Sequence, residues 1–179
     1  MIRIIVLFLL LSFSSVFAEE GGWEVGPQLN YSGYLKDEHY SHGAGGGLSV
    51  TYNLSDFWGI TSSLDYSKHF SNEKYDVINL YGGISYRLDI LRLVPVIEAG
   101  FSGTLLNNYE LNDNFFSVNI YGGVAISYLI DWERSVSVFF RYETALNKYD
   151  EVFNAYFSLG IRFNFIFEAE WQWKNLKRY

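Results

Sequence analysis

The stretch FSVNIYGGVAISY, from Phe116 to Tyr128, decides the fold of this chain. Large apolar side chains occupy every second position up to Ile120 and again from Val124 onward. Serine, asparagine, tyrosine, glycine and alanine fill the positions between them. Successive side chains of a β-strand point to opposite faces, so the stretch predicts a strand with one bulky apolar face and one smaller, more polar face.

The same alternation recurs seven more times, and a helical period of 3.6 residues fits none of these segments well. Short turns alternate with longer, more polar loops, and NLYGGISYRLDI from Asn79 resembles NIYGGVAISYLID from Asn119, so the repeating unit is a hairpin. The predicted strands are 23–35, 42–54, 58–70, 76–88, 93–106, 115–130, 135–146 and 152–165.

Side-chain size indicates which face points inward. The lumen of an eight-stranded barrel is only just wide enough for filling side chains, and the bulky face would overfill it. A secreted carrier barrel of the lipocalin type would need a large apolar cavity, against which the small polar face argues. We therefore predict an all-β fold, an eight-stranded antiparallel up-and-down transmembrane β-barrel, with the bulky face toward lipid and the polar face inside.

The chain divides into three parts around this barrel. Arg3, the apolar run from Ile4 to Leu11 and the small residue Ala18 predict a secretory signal peptide over residues 1–18. The barrel domain is expected over 19–165, and residues 166–179 are expected to form a periplasmic C-terminal tail. The tail carries two tryptophans and several basic residues, which suit either an interfacial anchor or a solvated extension of the last strand.

Composition excludes several classes of function. The absence of cysteine excludes disulfides and thiolate metal sites, and the formal charge of −7 disfavours nucleic-acid binding. The run Gly45-Gly46-Gly47 lies in a predicted strand and does not precede a helix, so it does not predict a phosphate site. We expect no cofactor and no metal.

Seven charged residues lie on the polar face and are expected to form an ion network in the lumen, because buried charges are tolerated only when they are paired. From the strand order we expect Glu24 to approach Arg162 and Arg87 to pair with Glu98, with the other members in a central group. The network could be a structural plug, a gate for small solutes or, least expected, a catalytic group. Its members are Glu24, Asp65, Arg87, Glu98, Arg141, Glu143 and Arg162.

Aromatic residues cluster near the predicted strand ends, where amphipathic rings favour the level of the lipid headgroups. At the short-turn end the predicted aromatic girdle comprises Trp23, Trp58, Trp132 and Phe165.

The segment EHYSH is the main alternative site. His39 and Ser41 would share one strand face, a pattern that some lipid A deacylases use on their lipid-facing wall, but the acid that a triad needs is not evident. His39 and His42 could bind a metal together with Glu38, although three ligands in one loop are usually incidental. A solvated loop is the preferred interpretation.

The YGGISYRL type of strand and the closing segment YFSLGIRFNF resemble the small eight-stranded outer-membrane barrels, a porin-like family that includes the OmpA transmembrane domain and OmpX. The resemblance covers Trp23 to Phe165. It implies a Gram-negative cell outer membrane location with periplasmic termini, and outer-membrane lipids, lipopolysaccharide and the outer-membrane assembly machinery as partners. We expect a monomer that is not an enzyme, with a structural or surface-interaction role. The alternatives are a narrow channel for small solutes and an outer-membrane lipid-modifying enzyme.

Overall fold

The computed structural model describes residues 22–36, 39–55, 57–70, 75–88, 92–108, 113–131, 133–146 and 155–167. The predicted signal peptide, Trp132, Glu38 and the tail from residue 168 onward lie outside the described residues. No helix long and apolar enough to cross a membrane is found in the described ranges.

Eight strands form a closed barrel in which each strand pairs antiparallel with the next and the last pairs with the first. This confirms the predicted fold, and each strand begins and ends within three residues of its predicted limits. The strands are β1 (Trp23–Lys36), β2 (His39–Asn53), β3 (Trp58–His69), β4 (Tyr75–Arg87), β5 (Leu93–Asn108), β6 (Asp113–Leu129), β7 (Arg134–Ala145) and β8 (Ala155–Phe167).

The assignment of the two faces is also confirmed. Along β3, exposed and buried residues alternate at every position from Trp58 to His69. Large apolar side chains cover the outside, with Leu29, Phe101 and Phe116 each more than 60% exposed. Serine, threonine and asparagine fill much of the inside. The period-two pattern therefore predicted which face of each strand points into the lumen, because a slip by one residue would turn every side chain to the other face.

Short polar side chains shape two of the tight turns. Between β2 and β3, Ser55 Oγ accepts hydrogen bonds from the amides of Phe57 (3.3 Å) and Trp58 (3.1 Å). Between β6 and β7, Asp131 accepts one from the Glu133 amide at 3.0 Å and one from Arg134 Nε at 2.8 Å. The bonds from Arg134 hold the pKa of the Asp131 carboxyl below its ordinary value. Serine and aspartate favour such turns because their oxygens replace a backbone acceptor. We call this end of the barrel the turn end and the opposite end the loop end.

The seam between β1 and β8 has one interruption. Val25 pairs with Phe165 and Gln28 with Arg162, but Gly26 and Pro27 have no ladder partner on β8. Both residues do pair with β2, so the nitrogen of Pro27 faces β8, where it has no hydrogen to donate. On the other side of the seam β8 ends at Phe167, two residues beyond the predicted end of the barrel.

The interior is not small throughout, contrary to the expected character of the polar face. At the loop end, large side chains point into the lumen and pack together in a layer that we call the apolar layer. Val77 is fully buried there and Tyr156 is 1% exposed. Phe115 packs against this layer from β6. The members of the apolar layer are Tyr34, Tyr75, Val77, Leu106 and Tyr156.

Candidate functional site

All seven predicted network residues lie on inward-facing positions of the strands. Arg141 and Glu143 stand two residues apart on β7, so both point inward, and they are 1% and 0% exposed. Asp65, Glu98 and Arg162 are equally inaccessible, each at 5% or less. Glu24 and Arg87 lie closer to the turn end and retain some exposure, with side chains 14% and 12% exposed.

Glu98 is the centre of the network because it holds two arginines. One carboxylate oxygen, Oε2, lies 2.9 Å from Arg141 Nη2 and 3.0 Å from Arg141 Nε. The other oxygen lies 3.3 Å from Arg162 Nη1. Arg141 also reaches Ser63 Oγ at 2.9 Å and the carboxylate of Asp65 at 3.7 Å. Charge-assisted bonds of this kind are stronger than neutral ones, especially where water is excluded.

The predicted pairing of Glu24 with Arg162 was wrong. Glu24 instead lies 2.8 Å from Arg87, and Asn53 bridges the two by donating to Glu24 and accepting from Arg87. In the register of the closing seam, Arg162 stands opposite Gln28, four residues along β1 from Glu24, and donates to its Oε1 at 3.0 Å. Four residues of strand span about 13 Å, too far for direct pairing along that strand.

The predicted pair of Arg87 and Glu98 was also wrong. Arg87 is opposite Val96 across the ladder, and Glu98 is opposite Ser85. Glu98 points across the bore to residues of β7 and β8, on the far side of the barrel from β4. A prediction from neighbouring strands cannot anticipate such pairs, because a narrow lumen brings opposite walls into contact.

The remaining two carboxylates are held mainly by neutral donors. Asp65 accepts hydrogen bonds from the amide groups of Gln28 and Asn30, in addition to its contact with Arg141. Glu143 also faces the interior, as expected of a member of the central group, and it accepts hydrogen bonds from neutral groups. Its donors are Tyr81 OH, Ser102 Oγ and Asn119 Nδ2.

Three inward aromatic rings enclose the arginines, a role that the alternating sequence pattern did not predict. The guanidinium carbon of Arg141 lies 4.7 Å from the ring centre of Tyr81, 5.1 Å from that of Phe139 and 5.9 Å from that of Tyr121. The guanidinium carbon of Arg162 also lies 5.1 Å from the ring centre of Phe139. Cations within about 6 Å of a ring centre are attracted to its electron-rich face. We refer to Tyr81, Tyr121 and Phe139 as the aromatic cage.

Glycines opposite the cage make room for it. A Cβ on Gly160 would lie 2.6 Å from the Phe139 ring, and a Cβ on Gly83 would lie 2.6 Å from Tyr121 OH. Both contacts are closer than side chains tolerate. Gly83 belongs to the YGG motif of β4 and Tyr121 to the YGG motif of β6. The repeated motif was therefore a usable signal: its tyrosine and second glycine face inward, where one fills the lumen and the other leaves space.

The two ends of the lumen differ. At the loop end, His69 is fully buried beneath the apolar layer, with Ser32, Ser41 and Ser67 each within 3.3 Å of a ring nitrogen. At the turn end the lumen contains a cavity of about 40 Å³. The ion network separates these two regions.

The alternative site around EHYSH is arranged differently from the expectation. Ser41 lies within β2, is 3% exposed and faces the lumen, whereas the enzyme interpretation placed it on the lipid-facing wall. His42 points outward between the rings of Tyr31 and Tyr40, at 6.3 and 6.0 Å. The side chain of His39 lies outside the described residues. Within the described ranges no group of three or more histidine or acidic side chains is placed to hold a metal.

Three members of the predicted girdle lie on the outer face at the turn end. Trp23 packs against Tyr52 with ring centres 4.7 Å apart, and Trp58 packs against Tyr86 at 4.8 Å. Phe165 is 47% exposed near the end of β8. The fourth member, Trp132, lies outside the described residues.

Comparison with known proteins agrees with this architecture. The family model described as outer membrane protein beta-barrel domain matches residues 4–173. Among solved structures, Neisserial surface protein A (NspA) is similar with a TM-score of 0.68 and 12% identity, over 83% of this chain and 99% of that one. OprG from Pseudomonas aeruginosa gives 0.57 and 11%, over 83% and 96%. Ail, the attachment invasion locus protein of Yersinia pestis, gives 0.54 and 16%, over 82% and 99%. Comparison with curated protein sequences gives no match.

Proposed function

Because this chain belongs to the outer membrane protein beta-barrel domain family, we propose that it is an integral barrel with a closed lumen and a structural or surface-interaction role. The observation that carries the proposal is the filling of the bore. Glu98 binds two arginines across it, and the aromatic cage packs around them. The apolar layer lies between this network and the loop end.

Opening this lumen would require breaking buried ion pairs. Removing one partner of a buried pair typically costs about 3–5 kcal/mol, because the other charge is left uncompensated. The cage adds packing around Arg141 that would also have to be rearranged. These costs support a barrel that holds its wall in place without conducting ions.

Planar-bilayer recording tests the proposal. We expect the wild-type protein to give no current steps above the lipid background. The variant Arg141→Ala removes one arginine of the ion network. Arg134→Ala, changed at an exposed turn residue, serves as its matched control. Regular current steps from the wild-type protein would refute the closed lumen.

A narrow channel is the second candidate, and one contact favours it. The guanidinium of Arg141 lies 2.9 Å from the Glu98 carboxylate and 3.7 Å from that of Asp65. A second carboxylate is therefore within reach of the same guanidinium. A shift of Arg141 between the two would change the contacts that span the bore. Under this alternative the wild-type protein conducts and Arg141→Ala alters its conductance, whereas Arg134→Ala does not.

We propose that the chain is not an enzyme. The support is the inward orientation of Ser41, which places its hydroxyl beside His69 and away from the outer wall. A strain that carries Ser41→Ala is expected to have unchanged lipid A in mass spectra. Loss of a lipid A modification would favour the lipid-modifying alternative.

The proposed partners follow from the outer surface. The broad band of exposed apolar side chains suits outer-membrane lipids and lipopolysaccharide, and the aromatic end of β8 suits the assembly machinery. A surface-interaction role places the longer loops outside the cell and both termini in the periplasm. Ail is named for attachment and invasion, which supports such a role for a barrel of this size. We propose that the barrel acts as a monomer.

A further inference from the structure

The turn-end cavity occupies the part of the lumen between the ion network and the tight turns. Its volume of about 40 Å³ corresponds to a few water-sized positions, since one water needs roughly 10–15 Å³ of such space. Val94, Val96 and Ala125 form part of its wall from β5 and β6. The polar and charged side chains that line it include Glu24, Ser85, Arg87, Glu98, Arg162 and Asn164, and hydroxyl groups of β2, β6 and β7 contribute as well.

Both carboxylates that line the cavity are already engaged. Glu98 is shared by Arg141 and Arg162, and Glu24 is bound by Arg87 and Asn53. Glu24 and Arg87 form one pair, and Glu98, Asp65, Arg141 and Arg162 form a second group, so the two together hold three carboxylates and three guanidinium groups. The fourth lumen carboxylate, Glu143, accepts hydrogen bonds from neutral groups and is not part of these ion pairs. The ion pairs that border the cavity are therefore balanced in charge.

Most of the neutral polar groups around the cavity satisfy one another. Ser127 and Ser137 hydroxyls lie 2.7 Å apart, and Asn164 donates to Ser135 and Ser137 at 3.0 Å each. Thr51 donates to Thr61 at 3.2 Å.

The lining groups left without a hydrogen-bond partner are donors or hydroxyls. Arg87 Nε and Arg162 Nη2 are buried and unpartnered among the described residues, and so is Ser85 Oγ. Arg162 itself is only 5% exposed and Ser85 3%. A guanidinium nitrogen can only donate, so an occupant of this cavity must accept hydrogen bonds. An anion does so most strongly, because the bond is then charge-assisted on both sides.

We propose that the turn-end cavity binds a small monovalent anion of about one to four heavy atoms, such as a halide, formate or acetate. The anion accepts hydrogen bonds from Arg87, Arg162 and Ser85. It enters from the turn end past the partly exposed Glu24–Arg87 pair. It does not pass further, because Arg141 and Glu98 close the inner end of the cavity.

NMR of the full-length protein in detergent micelles tests this directly. The Nε–H signal of Arg87 is followed during titration with sodium formate, sodium acetate and sodium bromide at constant ionic strength, with sulfate as the balancing salt. Sodium benzoate is the size control, because its ring exceeds the cavity. We expect saturable shifts of the Arg87 signal with formate, acetate or bromide, and none with benzoate.

Two matched variants locate the site. Ala125→Leu places extra volume inside the cavity, whereas Ala99→Leu places the same volume on the outer wall. We expect Ala125→Leu to abolish saturable binding and Ala99→Leu to retain it, with both variants showing the strand signals of the folded barrel. The inference is overturned if no small anion gives saturable shifts, if benzoate binds as well as formate, or if folded Ala125→Leu binds like the wild type. If Ala125→Leu does not fold, Ser85→Ala replaces it, and binding as tight as in the wild type would count against the proposal.

Discussion

At the scale of single residues, Glu98 has the largest consequence for the lumen. It contacts Arg141 with one oxygen and Arg162 with the other, so the two cations share its single negative charge, and both arginines are nearly inaccessible to water. The cage ring of Phe139 contacts the same two arginines. Rings can pack against these cations but carry no negative charge. The carboxylate is therefore indispensable, whereas the rings are not.

Replacement of this carboxylate by its neutral amide should therefore destabilise the barrel strongly. We expect Glu98→Gln to lower the free energy of unfolding by about 3–5 kcal/mol, because two buried guanidinium groups lose their shared counter-charge. The measurement is urea unfolding in lipid vesicles, followed by the gel shift between folded and heated protein. Glu133→Gln, at an exposed turn position, is the control and should unfold like the wild type.

The double variant Glu98→Gln/Arg162→Met separates charge from packing. It removes one of the two uncompensated cations, so its stability should lie between those of Glu98→Gln and the wild type. If Glu98→Gln itself unfolds like the wild type, the charge of Glu98 does not hold the lumen together.

At the scale of strands, the closing seam differs from the other seven pairings. The ladder between β1 and β8 is interrupted at Gly26 and Pro27, whereas β4 and β5 pair at every position from Tyr75 to Arg87. The interruption follows because the backbone nitrogen of Pro27 lies on the side of β1 that meets β8 and carries no hydrogen to donate. Pro27 is exposed on the outer wall, so its ring can be replaced without disturbing the lumen.

Restoring the amide should tighten this seam. In Pro27→Val we expect slower hydrogen exchange of the backbone amides of residues 26, 28 and 162–164, because the new N–H can donate to β8. Pro95→Val is the matched control, since Pro95 also faces outward but lies just past the end of the ladder between β4 and β5, away from the closing seam. Unchanged exchange at the seam in Pro27→Val would show that something other than the missing donor interrupts the ladder.

At the scale of the whole molecule, the barrel has two unlike ends. The apolar layer lies across the loop end of the lumen, while a polar cavity and a partly exposed ion pair lie at the turn end. The tight turns and both chain ends of the barrel lie on the same side, because β1 begins and β8 ends there. The proposed orientation places that side in the periplasm.

Cysteine labelling in cells tests this orientation, because the natural chain contains no cysteine. We expect Ser71→Cys, between β3 and β4, to react with a membrane-impermeant maleimide in intact cells. Ser55→Cys, in the turn between β2 and β3, should react only after the outer membrane is made permeable. The reverse order of labelling would contradict the proposed orientation.

The sequence alone predicted the wall of the barrel better than the contacts inside its lumen. The alternation in segments such as Phe116 to Tyr128 determined the strands, their number, the outer face and the seven inward charges, because strand geometry links sequence position to side-chain direction locally. Only the tertiary structure decided that Glu24 pairs with Arg87, that Glu98 reaches Arg141 and Arg162, and that Phe139 covers both arginines. Those contacts cross the lumen, and they depend on the combined stagger of all eight strands, which no single segment encodes.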